Sequence, residues 1–341
     1  MQVVVDPARR WRQRAVDTPL GQRAKRAYRN RFPVVVEEPE PKVHLRERFP
    51  DRFGVEESFN GNQIDVVYLG SEADYDWALE QIELDNYYEN PHAWGRDVDL
   101  DKRTLAWMVS QFGPSNALDI GCSNGPLVSA LADVGIDAVG IDISEYAIER
   151  ALPGTNLMHG DFTTFDFNTR FDTVLALDLM EHLHPFRLDR HLQRVRELLS
   201  DTGVAIFNIP VWGPDPIWGE VFPLAPCSYT DALPSWVPEL QQGQLFSAVP
   251  VDQNGLPELG HLVWAGTDWW LEQFRVAGLR RLPSVESQLH QRVDWFYNIQ
   301  SIARRSFYVL TRDDSSFDTT DFIERITTPH PPSPFFKIFR P

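Results

Sequence analysis

Four short stretches carry residues able to hold a nucleoside-like ligand and to move a proton beside it. The first is ALDIGCSNGPLVSAL, residues 117–131, in which an apolar run closes at Ile120 and Gly121 and Gly125 flank a turn. Glycines suit such a place because the backbone bends sharply there and approaches a ligand closely. A helical segment starting near Pro126 adds free N–H groups and a dipole that favour negative charge. The second stretch, AVGID, ends on Asp142, where one carboxylate can accept both hydroxyls of a ribose. The third, HGDF, offers Asp161 to an adenine amino group. The fourth, FDTVLALDLMEHLHP, places Asp178, Glu181, His182 and His184 just beyond a strand-length apolar run. His182 is the candidate base, since an imidazole titrates near neutrality. Its alternative role is to brace the following helix together with Glu181.

These residues need a scaffold that brings several strand ends together. NALDIG, DAVGID, FDTVLALD and GVAIFNIP are near-continuous apolar runs, as expected of strands covered on both faces. PLVSALADV, SEYAIERAL and FRLDRHLQRVRELLS lie between them with helical periodicity. The alternation predicts a doubly wound α/β sheet with right-handed crossovers, which binds ligands at the carboxyl ends of its strands. Residues 1–60 read as a basic arm and a Pro-rich linker, and 61–115 as a helical segment covering the substrate. The core domain spans 116–312, with a lid-like insertion at 211–260 rich in Pro, Trp and Gly, and a Pro-rich tail covers 313–341. A strand is predicted near 280–286, and the tail is expected to lie on the surface.

In the order and spacing of these motifs the chain resembles the class I, Rossmann-like S-adenosylmethionine-dependent methyltransferases over residues 100–311. DIGCSNG is similar to the family's first motif, GID to its ribose-binding acid and GDF to its adenine-side acid. FDTVLALDLMEHL and GVAIFNIP resemble the fourth-strand motif and the fifth strand. The resemblance implies a mostly parallel seven-stranded sheet with a reversed final hairpin, and S-adenosyl-L-methionine as cofactor with S-adenosyl-L-homocysteine as product. It assigns Asp119, Gly121, Cys122, Gly125, Asp142, Ile143, Asp161, Phe162 and Asp178 to cofactor binding, and Glu181 and His182 to catalysis. Ser123 departs from the pattern where a middle glycine is common. A nicotinamide dehydrogenase is the rival reading, but GCSNGP lacks the full G-x-G-x-x-G form, and that reading leaves HGDF and DLMEHL unexplained.

Asp178, Glu181 and His182 stand at i, i+3 and i+4, on one side of a helical turn if that turn is helical. With His261 they offer mixed oxygen and nitrogen ligands to a divalent metal. The pattern is similar to the E-x-x-E-H and distant His of small-RNA 3′-end 2′-O-methyltransferases, with Asp178 in place of the first Glu. The metal-free reading stands beside it, because E-H and a His before the last helix also occur in relatives without metal. Tyr87, Tyr88, Trp94, Trp212 and His261 are the candidate substrate contacts, and Trp218, Phe222, Tyr229 and Trp236 add aromatic surface within the insertion. A small-molecule or glycan acceptor, methylated at O or N, fits that surface. A non-catalytic scaffold that keeps the fold is the alternative from another class, although a scaffold has no use for a ribose-binding acid.

The formal net charge is −17, yet the first 31 residues are rich in Arg and Lys. An acidic body repels phosphate backbones, which disfavours nucleic acid as a partner. The arm is left free to touch a membrane surface peripherally or to meet an acidic partner. With two cysteines, Cys122 and Cys227, no secretory pattern and no apolar run long enough to span a bilayer, the expected location is the cytoplasm.

Overall fold

The computed structural model describes residues 43–87, 97–220, 232–301 and 304–327. The basic arm, Tyr88, Trp94, Phe222, Tyr229 and the residues from 328 onward lie outside these.

A one-turn helix α1 (Leu45–Arg48) precedes β1 (Phe53–Glu57), β2 (Gln63–Tyr68) and α2 (Glu72–Leu84). Helix α2 starts at a reciprocal cap, in which the Ser71 hydroxyl accepts from Asp74 N–H and the Asp74 carboxylate accepts from Ser71 N–H. After α3 (Leu100–Ser110) the predicted alternation unfolds as β3 (Asn116–Ile120), α4 (Pro126–Asp133), β4 (Asp137–Asp142), α5 (Glu145–Glu149) and β5 (Asn156–His159). It continues through β6 (Phe171–Leu177), α6 (Leu188–Leu198) and β7 (Leu199–Asn208). The insertion contributes β8 (Pro214–Asp215), β9 (Gly219–Glu220), α7 (Trp236–Gln241) and β10 (Ala248–Pro250). The chain closes with α8 (Thr267–Val276), β11 (Leu279–Arg281), α9 (Pro283–Arg292), β12 (Phe307–Arg312) and α10 (Thr319–Thr327).

Seven strands form one sheet in the order β11-β12-β7-β6-β3-β4-β5. From β7 to β5 all pairings are parallel, while β12 runs antiparallel to both β7 and β11. This is the doubly wound sheet with a reversed final hairpin. The strands read as continuous apolar runs because helices cover both faces. On one face α6 and α8 bury Leu192, Val195, Trp270 and Phe274, and on the other α3, α4, α9 and α10 bury Leu105, Leu127, Leu289 and Phe322.

Four expectations need correction. The arm-and-linker reading of 1–60 ends early, since β1 lies inside it and pairs with β2. The insertion is no independent lid, because β10 adds to β2 and completes a three-stranded antiparallel sheet, β1-β2-β10. Val66, Val67, Tyr75, Trp236, Phe246 and Trp264 share one core beneath it, so the segment before the domain and the insertion within it fold as one cap. The tail from 313 also contains α10, whose Phe322 and Ile326 are buried, and Pro283 begins a helix where the strand near 280–286 was expected to continue.

Candidate active site

The loop after β3 turns through left-handed backbone at Gly121, Ser123 and Gly125, with φ of +73°, +50° and +85°. A Cβ on Gly121 would sit 3.1 Å from Leu179 Cδ1, and one on Gly125 3.0 Å from the Leu157 methyls, so both conformation and space select glycine. Ser123 takes its unfavourable conformation because its N–H donates to Asp142 Oδ2 at 2.8 Å. The other carboxylate oxygen of Asp142 accepts from Ser144 N–H at 2.8 Å, and Ser144 in turn caps α5. Asp142 thus joins the glycine turn to the next helix. Beside it Ile143 is 61% exposed. Helix α4 opens with no side-chain cap on its first N–H groups, which are left to water or an anion.

Asp119 is buried at the end of β3, and burial pushes its carboxyl up to about 7, with Lys102 and Arg304 pulling against that rise. The Cys122 thiol is buried against β4, and burial pushes its pKa up. It is a packing group, touching the bare Cα of Gly140, where a Cβ would stand 2.6 Å from its sulfur. Asp161 is exposed after β5, accepting from Thr163 N–H at 2.8 Å and from its hydroxyl at 2.9 Å. Phe162 faces the core against His191 and offers the site no side chain.

Beyond β6 the chain reaches Asp178 in the left-handed region, φ +52°, before a single 3-10 turn over Met180–His182. That kink breaks the helical spacing expected of Asp178, Glu181 and His182. Asp178 pairs instead with the buried Arg304, whose Nη1 lies 2.6 Å from its Oδ2. Arg304 also bonds Asn208 and pairs with Asp101 at 3.2 Å. Nothing in the sequence sets Arg304 apart from the neighbouring Arg305. Its position just before the final strand of the sheet becomes informative only once β12 is known to lie beside β7.

Glu181, His182 and His261 come together, with one ligand atom from each within 4.8 Å of the others. The pairing is built by backbone, since Leu262 and Val263 N–H both donate to the Glu181 carbonyl, at 2.8 and 2.9 Å. His182 Nδ1 lies 3.1 Å from the Gly260 carbonyl and is the donor of that pair. Neither carboxylate oxygen of Glu181 has a hydrogen-bond partner. Burial raises the Glu181 pKa well above its ordinary value, lowers His182 to about 4 and holds His261 well below the ordinary imidazole value. Both imidazoles are therefore neutral near pH 7. Two imidazoles and an unpartnered carboxyl are a donor set that fits a divalent ion, with Asp178 excluded from the four-residue set by its bond to Arg304. His184 turns away from this group toward Asp76, 3.6 Å from its Oδ1.

Of the predicted substrate residues, Tyr87 packs against Gly260, where a Cβ would stand 2.8 Å from its ring, and burial pushes its phenol up to about 12. Trp212 and His261 line one small pocket with Phe246, Val263 and Trp264, and the Trp212 indole N–H is buried there without a partner. Tyr88 and Trp94 lie outside the described residues. No helix among the described residues is long and apolar enough to cross a membrane.

Residues 93–250 match a family model described as a methyltransferase domain. A stretch of 99 residues is 33% identical to the ubiquinone biosynthesis O-methyltransferase of Azorhizobium caulinodans, covering 27% of this chain and 38% of that protein. The chain therefore spans well under half the length of that relative. Among solved structures, an S-adenosylmethionine-bound amino pentose methyltransferase from Micromonospora echinaspora is 17% identical, covering 68% of this chain and 97% of that one, with a TM-score of 0.41. The sugar N-methyltransferase KedS8 from a Streptoalloteichus species is 24% identical over 38% of this chain and 54% of that one, with a TM-score of 0.32.

Proposed function

We propose that this chain is a class I S-adenosylmethionine-dependent methyltransferase, and that it moves a methyl group to an oxygen or nitrogen of a small-molecule or glycan acceptor; the match of residues 93–250 to a methyltransferase-domain model supports the reading. The observation that carries the reading is Asp142, a carboxylate at the carboxyl end of β4 that holds the glycine turn and the start of α5 together, where a ribose would lie. S-adenosylmethionine supplies the activated methyl group, and its sulfur leaves as the thioether of S-adenosylhomocysteine.

The chain's own work is to bind, orient and keep the site dry. Asp142 and Ile143 take the nucleoside end, and Asp161 takes the adenine edge. Asp119 and the uncapped start of α4 take the charged amino-acid end. The acceptor enters between Tyr87 and the Trp212 pocket, under the cap. Its proton passes to Nε2 of His182, whose other ring nitrogen faces the Gly260 carbonyl. A base held near pKa 4 in the free protein takes that proton only as the nucleophile forms its new bond, so the acceptor must itself become acidic in the transition state. The test is release of S-adenosylhomocysteine in the presence of hydroxyl and amine acceptors. Turnover that His182→Gln slows while cofactor affinity is kept supports the reading. Cofactor binding without turnover of any acceptor favours the scaffold alternative.

A second reading rests on the unpartnered Glu181 carboxyl. Glu181, His182 and His261 would hold a divalent ion, which would stabilise the negative charge of a deprotonated hydroxyl. Metal content after dialysis against Mn²⁺, compared between the parent protein and Glu181→Gln, decides it. One equivalent retained by the parent and lost in the variant supports a metal site, and no retention by either removes it. The acidic body still argues against an RNA acceptor.

A further inference from the structure

We infer that Arg304 is a positioning residue of the cofactor site, an inference that rests on the methyltransferase reading above. A buried guanidinium paired only with Asp101 would already be neutralised. Arg304 does more, since Nη1 reaches both Asp178 Oδ2, at 2.6 Å, and the Asn208 side-chain oxygen, at 2.5 Å. The Asp178 N–H closes the ring by donating to the Asn208 carbonyl at 3.0 Å. The ends of β6 and β7 are thereby locked to each other through one side chain that arrives from the segment before β12. Asp178 needs such a lock because it is a non-glycine residue at φ +52° and its side chain is 48% exposed toward the strand ends. The next residue, Leu179, lies against Gly121, where a Cβ would stand 3.1 Å from its Cδ1. A shift of Asp178 therefore reaches the glycine turn through one packed contact.

The charges point the same way. Asp101, Asp119 and Asp178 gather around Arg304 and Lys102, and Lys102 Nζ is itself 2.8 Å from Asp101. With Arg304 present, the Asp178 carboxylate is fixed and balanced, so a neutral thioether is tolerated as well as a sulfonium. Without its charge the strand ends become more negative, and the cationic cofactor is favoured over its neutral product.

The experiment measures affinities of the full chain for S-adenosylmethionine and S-adenosylhomocysteine, with thermal midpoints as a check on folding. Arg304→Lys keeps the charge but loses the fork, and both ligands should weaken together by roughly tenfold. Arg304→Gln should weaken S-adenosylhomocysteine several-fold more than S-adenosylmethionine, a change of ratio that loss of packing alone does not produce. Asp178→Asn approaches the same link from its exposed end. By removing the negative charge opposite Arg304 it should weaken S-adenosylmethionine more than S-adenosylhomocysteine, the opposite change of ratio to Arg304→Gln, and add little to the common loss on top of Arg304→Lys. A folded Arg304→Lys that binds both ligands as the parent does overturns the role of Arg304. A parent protein that binds neither ligand overturns the methyltransferase reading and this inference with it.

Discussion

Gly140, in the middle of β4, tests how tightly the glycine turn is packed onto the sheet. An alanine methyl there would stand 2.6 Å from Cys122 Sγ, 2.7 Å from Cys122 Cβ and 2.8 Å from Leu157 Cδ2. The sulfur and the leucine methyl can rotate away, but Cys122 Cβ is fixed to the backbone of the turn. Gly140→Ala must therefore lift residues 121–123 off β4. Overpacking of this kind costs about 1–3 kcal/mol. Against it stands a gain of about 0.4–1 kcal/mol from the stiffer unfolded chain, leaving a net loss of about 1–2 kcal/mol. Urea unfolding reads the loss, and calorimetry with S-adenosylhomocysteine reads the displaced turn as weaker binding. Gly135→Ala is the control. Its φ is +86° with no atom within 4 Å of an added Cβ, so it should lose about 1 kcal/mol of stability and no affinity. Cys122→Ala in the Gly140→Ala background should recover only part of the loss, since it removes the sulfur contact and leaves the Cβ contact. A Gly140→Ala protein with unchanged stability and affinity would refute this packing.

Two other outcomes follow from the same geometry. Arg281 is half-buried between Asp215 and Glu286, at 2.7 and 2.6 Å, and lies over the Trp218 and Tyr308 rings. Arg281→Met strands two buried carboxylates and should cost about 3–5 kcal/mol in urea unfolding; a loss below about 1 kcal/mol would contradict the pairing. Asp119 has its pKa raised by burial from 3.8 to about 7, so the folded protein keeps a proton that the unfolded chain has already lost. Its contribution to stability is complete below the lower value and is lost as pH rises through the higher one. Asp119→Asn should therefore be more stable than the parent at pH 8, by up to about 4 kcal/mol, while binding cofactor less tightly. Equal stability of the two proteins at pH 8 would contradict that burial.

The parts legible in the sequence were those whose signals are local. Gly121, Gly125 and Asp142 lie at ends of apolar runs, and the run lengths alone locate the strand ends. The cap was illegible because it depends on β2 pairing with β10, two short strands far apart in the chain whose patterns do not name each other. Arg304 was invisible for the same reason, its partners Asp101, Asp178 and Asn208 being distant in sequence. Helix α10 was passed over on composition, although Asp318 accepts from Thr320 and Asp321 N–H at its start, a capping signal present in DTTDFIERIT. The Asp178 ligand assignment failed because the helical spacing assumed for D-x-x-E-H does not survive a left-handed residue at its first position.

The central claim is that Asp142 forms the ribose end of an S-adenosylmethionine site. Calorimetric titration of the purified chain with S-adenosylhomocysteine, beside Asp142→Ala and with NAD as a control ligand, tests it most directly. Saturable binding by the parent, none with NAD, and at least a tenfold loss in a folded Asp142→Ala is the predicted result. Equal affinity of the parent and the variant, or binding of NAD in place of S-adenosylhomocysteine, would contradict it.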